Sequence, residues 1–251
     1  MFGLPSPLVG RRPILPPFGD DAVHDGYPRH DPVVVEEFVR VAHLELPPVR
    51  EMVERQPALA RASWDWGFGD WETALGAAAH SGKRDVAELL LAHGARPTIF
   101  SAAMLGQLDV VRAFVQAQPG IQRTLGPHGL TLMSHARAGG APAEPVVRYL
   151  ETVADADRRP TSTPLDAEAA ARLVGTYRFG DAERDHFVVD IRREQLGLQR
   201  PGTNRRFLLH TGGNVFFPSG VPSVRIAFRE AADGMRLTIL DPGEILTAHR
   251  S

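Results

Sequence analysis

The chain has no cysteine, which excludes disulfides, thiolate chemistry and Cys-ligated zinc. No stretch approaches the ~20 apolar residues of a membrane helix, so no membrane is expected as a partner. Neither sign of charge dominates. The net charge is −2 and the pI about 6.6, so no global field favours nucleic acid. The paired cations Arg158-Arg159 and Arg205-Arg206 read as solvated loops. Near the N-terminus, prolines interrupt the apolar residues after Arg11-Arg12. A secretory signal needs an unbroken apolar run of about 7–15 residues, so the cytoplasm is the expected compartment. The sequence also lacks a Walker loop, a dinucleotide fingerprint, a Gly-x-Ser-x-Gly elbow and an HExxH helix, so none of the chemistries tied to those motifs is expected.

What remains is ordinary globular material, 251 residues at 43% hydrophobic and 23% charged, enough for one or two domains. Residues 1–30 are rich in Pro, Gly and Asp without periodicity, which predicts an extended arm. Helical spacing begins at Asp31-Pro32, an N-cap followed by a proline at the first helical position. Leu46-Pro47-Pro48 then opens a second short helix, its prolines fitting the first turn. The pair recurs. Ala78-Ala79-His80-Ser81-Gly82 matches Ala102-Ala103-Met104-Leu105-Gly106, with a weaker copy at Thr131–Gly140. Equivalent positions fall at 44, 82, 106 and 140. The long first interval holds an insertion, and the short second one leaves Ala95–Thr98 as little more than a turn.

The stretch Thr73–Ala95 resembles an ankyrin repeat at Thr73, Leu75, Ala78, Ala79, Gly82, Leu89, Leu90, Gly94 and Ala95. The resemblance extends over about residues 33–152. It implies stacked helix pairs carrying projecting β-fingers, and a binding function directed at a protein, peptide or compact ligand in the groove. Gly76 and Ala74 depart from the usual His and Pro of that family, which puts the family's buried histidine network in doubt.

The period changes after a linker, residues 153–165. From residue 166 a short helix capped by Asp166 leads into seven or eight short segments rich in β-formers, separated by Gly, Pro, Asn and Asp. They predict a small antiparallel barrel filled mostly by Tyr177, Phe179, Phe187, Phe207, Phe216, Phe217 and Phe228. The run Leu173–Phe179, Phe216-Phe217, Ile226–Phe228 with Asp233-Gly234, and Leu246–Arg250 resemble the small lipocalin-like accessory domain of bacterial β-lactamase-like hydrolases. The serine- and lysine-bearing catalytic domain of those hydrolases has no counterpart here. The expected fold class is therefore α+β multidomain: an arm (1–30), an ankyrin solenoid (31–152), a linker (153–165) and a small antiparallel β-barrel (166–251).

The candidate site is the insertion. All the tryptophans, Trp64, Trp66 and Trp71, fall within eight residues, interleaved with Asp65, Asp70 and Glu72. Indoles and carboxylates on one finger suit a cation, a sugar or a proline-rich peptide. The same residues also suit a purely structural role, with indoles packing the finger down and Asp70 capping the helix near Thr73. His80, His128 and His135 come from successive units and line the same groove, and His43 is placed to join them. A small-molecule enzyme, a hydrolase or lyase using this carboxylate–histidine set, is the alternative function. Without ligand spacing such as HxH, neither a metal site nor a cofactor is expected.

Overall fold

The computed structural model describes residues 26–232 and 234–251. The predicted arm lies, up to residue 25, outside the described residues, as does Asp233 of the Asp233-Gly234 turn. Residues 26–30 form an exposed turn.

Four helix pairs follow. They are α1 (Pro32–Val41) with α2 (Leu46–Arg55), α3 (Ala74–His80) with α4 (Arg84–Ala92), α5 (Ile99–Met104) with α6 (Leu108–Ala117), and α7 (Leu132–Ala138) with α8 (Glu144–Glu151). Hydroxyl and carboxylate caps start them. Asp31 accepts from Val33 N, and Thr73, Thr98 and Thr131 accept from the amide three residues on, which satisfies otherwise orphaned donors. Thr73, not Asp70, is thus the cap of α3. Gly82 and Gly106 end α3 and α5 at φ +69° and +75°, where a Cβ would collide with the carbonyl oxygens of Ala138 and Pro142.

Between the first two pairs lies the finger, β1 (Ser63–Asp65) and β2 (Trp71–Thr73), paired antiparallel with Trp64 opposite Glu72. Between the second and third pairs there is only the turn at Ala95–Thr98.

The helices do not form a simple row. In a linear stack each unit touches only its neighbours. Here α3, α5 and α7 each contact the other two. The reason is local. Helix α5 has six residues, and the three helices bury small side chains, Ala77, Ala78, Ala102, Ala103 and Ala136. A short helix flanked by alanines cannot hold its neighbours apart. The turn Pro127–Gly129, which leads into α7, is thereby carried back against α3.

After the linker, α9 (Ala167–Leu173) is capped by Asp166. Eight strands complete the chain: β3 (Gly175–Arg178), β4 (His186–Arg192), β5 (Gln195–Gln199), β6 (Arg206–Gly212), β7 (Val215–Pro218), β8 (Arg225–Ala231), β9 (Gly234–Asp241) and β10 (Gly243–Arg250). They pair antiparallel in chain order, and β10 pairs with β3, closing the barrel. Closure leaves no free sheet edge. Tyr177, Phe187, Phe216, Phe228 and Leu237 fill the interior and Phe179 packs against them, whereas Phe207 and Phe217 lie outside that cluster, beside the guanidinium groups of Arg205 and Arg225.

The helical part and the barrel touch through the finger. Phe68 at its tip, at φ +60°, packs against the barrel's apolar cluster. Gly129 faces Gly220 of the barrel, where a Cβ on either would press on the opposite backbone. The finger therefore does not project freely as the sequence suggests. The linker is also tied down, with Asp157 accepting from Thr131 and Thr163 bonded to His210.

Candidate functional site

Four separate segments converge on one carboxylate. Glu72, on β2, has a fully buried side chain. Its Oε2 accepts from the indole Nε1–H of Trp66 at 2.7 Å. Its Oε1 lies 2.8 Å from His80 Nε2. His43 Nε2 stands 3.2 Å from Oε2, and His128 Nε2 stands 3.4 Å from the same oxygen. His43 comes from the turn after α1, His80 from the end of α3, and His128 from the Pro127–Gly129 turn. All three present the same ring nitrogen.

The rings are held from behind. His43 Nδ1–H donates to the carbonyl of Val39 at 3.0 Å, one helical turn back. His128 Nδ1 meets Asp70 Oδ2 at 2.8 Å, and its backbone N–H donates to Asp70 Oδ1 at 2.8 Å. His128 sits at φ +59°, a left-handed conformation uncommon outside glycine but more open to His, Asn and Asp than to other side chains, and both of its Asp70 bonds hold it there. Asp70 in turn receives Arg206 Nη1 of the barrel at 2.9 Å. A single chain of contacts thus runs from Arg206 on β6 through Asp70 and His128 to Glu72.

The electrostatics follow the geometry. Burial pushes Glu72 up, but the imidazoles of His128, His43 and His80 outweigh it and hold the carboxyl far below the usual range. Asp70 behaves alike: burial is offset by His128 and Arg206, and its pKa falls. Burial lowers His128 too, yet Asp70 and Glu72 raise it to about 9. His80 goes the other way, since burial outweighs its bond to Glu72.

The predicted site residues divide. Asp70, Trp66, Glu72, His80 and His128 meet in one cluster, and His43 joins them. Trp64 packs against the helical core. Asp65 accepts from Gly67 N and shapes the finger turn. Trp71 is exposed on the far side of its strand. His135 is fully buried, with Nδ1–H donating to Thr131 O. Burial drops it to about 4. Its Nε2 has no partner, and its ring lies 6.3 Å from that of His80, next to the cluster but outside it.

Arg206 was missed. The pair Arg205-Arg206 reads as solvated loop, yet both side chains are about nine-tenths buried, Arg205 on Asp190 and Arg206 on Asp70. Nothing next to Arg206 in the sequence points to Asp70, which lies in the other part of the chain. Gly76 is explained as well. Its missing side chain leaves room for Pro127, the residue that sets His128 in place.

This unit, with its finger strand, capped helix and glycine turn, decides the resemblance. Residues 70–101 match the ankyrin repeat family. Ankyrin repeats generally mediate protein interactions. No curated protein and no solved structure gives a match to the chain. The matched ankyrin unit carries Asp70, Glu72 and His80, while His43 and His128 come from the segments on either side. Among the described residues, no helix is long and apolar enough to cross a membrane.

Proposed function

We propose that the chain is a binding protein. Its four helix pairs over residues 31–152 are ankyrin-type units, and their standing partner is the chain's own barrel, residues 166–251. The junction of the two, at Asp70 and Glu72, is the site for a compact ligand. The observation that carries this reading is the convergence of Trp66, His43, His80, His128 and Arg206 on two neighbouring buried carboxylates. A stack needing only stability would fill such a junction with apolar side chains, since buried ions return little net stability.

The finger is occupied by the barrel at Phe68, so a long peptide along the groove is a poorer fit than a small ligand. Two surface cavities elsewhere do not reach Glu72. One is lined by Met133, Arg137, Leu150 and Asp157, the other by Arg158, Arg159, Thr163 and Arg225. An acid–base enzyme needs groups poised near the working pH. Glu72 is held too acidic and His128 too basic for that exchange at neutrality. The barrel's likeness to the lipocalin-like accessory domain rests on the Leu173–Phe179 run and the Phe216-Phe217 pair, and agrees with a supporting role.

Trp66 donates directly to Glu72, so its fluorescence reports on the site. Titration with a panel of ions and small metabolites should give a saturable change that is lost in a folded Asp70→Asn variant. A panel without effect, or an effect equal in the variant, removes the junction as the binding site.

A further inference from the structure

Resting on that reading of the junction, we infer that its ligand is a divalent transition metal ion of the zinc type, held by His43, His80, His128 and Glu72. The four ligand atoms lie within 4.8 Å of one another. The three distances from Glu72 oxygen to Nε2 are 2.8, 3.2 and 3.4 Å. A tetrahedral ion with ligands at about 2.05 Å has ligand–ligand edges of about 3.3 Å, which the two distances from Glu72 Oε2, to His43 at 3.2 Å and to His128 at 3.4 Å, already match. His80, at 2.8 Å from Oε1, has to draw toward the same point, and the four atoms, all within 4.8 Å of one another, have to close up.

The proton inventory points the same way. His43 spends its Nδ1–H on a backbone carbonyl, so as a neutral ring it turns a bare lone pair toward Glu72 Oε2. That oxygen already accepts from Trp66 and also faces His128. Lone pair against carboxylate is repulsive. A cation placed between them relieves that repulsion, and the three rings are close enough to share one, with centroids 4.9, 5.1 and 6.0 Å apart. One divalent ion meets all three lone pairs and the carboxylate at once.

The outer contacts are those a metal site uses. A ligating imidazole ordinarily gives its other nitrogen to a carbonyl or carboxylate, which fixes the ring and strengthens the donor. His43 has Val39 O and His128 has Asp70, itself anchored by Arg206. With imidazole and carboxylate donors and no thiolate, the set suits zinc, cobalt or nickel rather than magnesium or calcium. All four ligands come from the protein and Glu72 is buried, the mark of a closed, structural centre rather than a catalytic one.

The test uses the full chain, stripped with a chelator and dialysed. Zn2+ is titrated by calorimetry, and Co2+ by its visible absorption, which is intense only in low-symmetry tetrahedral sites. One ion per chain should bind, with strong Co2+ absorption. His80→Ala and Glu72→Gln should abolish saturable binding, and Asp70→Asn should weaken it about 10–100-fold. His43→Ala serves as the second ligand variant, since it alters a turn and leaves every helix intact. His93→Ala, outside the cluster, should bind as the parent does. Failure of the folded parent to bind either ion, or equal binding by His43→Ala and His80→Ala, overturns the metal. The junction would still stand if Trp66 responds to another ligand and Asp70→Asn abolishes that response, so the two failures are distinguishable.

Discussion

Replacing His128 by Asn tests the electrostatics of the junction. Asn tolerates the left-handed backbone at this position, so the change removes the imidazolium without forcing the turn. In the metal-free protein His128 rises from 6.5 to about 9, worth about 3 kcal/mol at about 1.4 kcal/mol per pH unit. The ring edge is 28% exposed, and solvent screening trims this to about 2 kcal/mol. The sign follows from the direction of the shift. A raised pKa contributes its full stability below 6.5 and loses it progressively up to about 9. Asp70 and Glu72 are depressed, so their contribution holds above about 4 and is lost on acidification. Urea denaturation of parent and variant, with chelator present, should show the variant weaker by about 2 kcal/mol at pH 6. The gap should close by pH 9.5. A difference that stays constant from pH 6 to 9.5 would refute an imidazolium bridging the two carboxylates.

Three further outcomes follow from the packing. Arg206→Met takes the barrel's cation from Asp70, and removing one partner of a buried pair costs about 3 kcal/mol, to be read as a lower guanidinium midpoint; an unchanged midpoint would mean that the contact carries no energy. Phe68→Gly keeps the positive φ but removes the ring from the barrel surface. It should cost about 1–2 kcal/mol and speed limited proteolysis within residues 153–165, whereas unaltered cleavage would show that the finger does not hold the barrel. Gly106→Ala and Gly94→Ala share a positive φ, but only at Gly106 does a Cβ strike backbone. Gly94→Ala should cost about 1 kcal/mol and Gly106→Ala clearly more, and equal thermal midpoints would argue against the contact with Pro142.

Much of this architecture is legible in the sequence because it rests on local rules. Asp31-Pro32 and Asp166 cap helices through their own side chains, and the alternating segments after Asp166 specify strands whatever they pair with. The finger was visible from its tryptophans. Its destination was not, since nothing in Phe68 itself says that it meets a barrel a hundred residues on. The same limit hid Arg206. His43, His80 and His128 carry no fixed spacing, because each belongs to a different unit. Their meeting depends on how the units pack, which no local pattern specifies.

The brevity of the third unit has a consequence for how such a centre arises. A finger precedes the second helix pair, whereas the pair after Ala95 is preceded by a bare turn and its helix α5 is six residues long. Lengthening the Ala95–Thr98 turn would displace α5 and α7 relative to α3, and with them the Pro127–Gly129 turn that brings His128 to Asp70 and Glu72. At this junction the length of one connection therefore matters beside the identity of the residues it brings together.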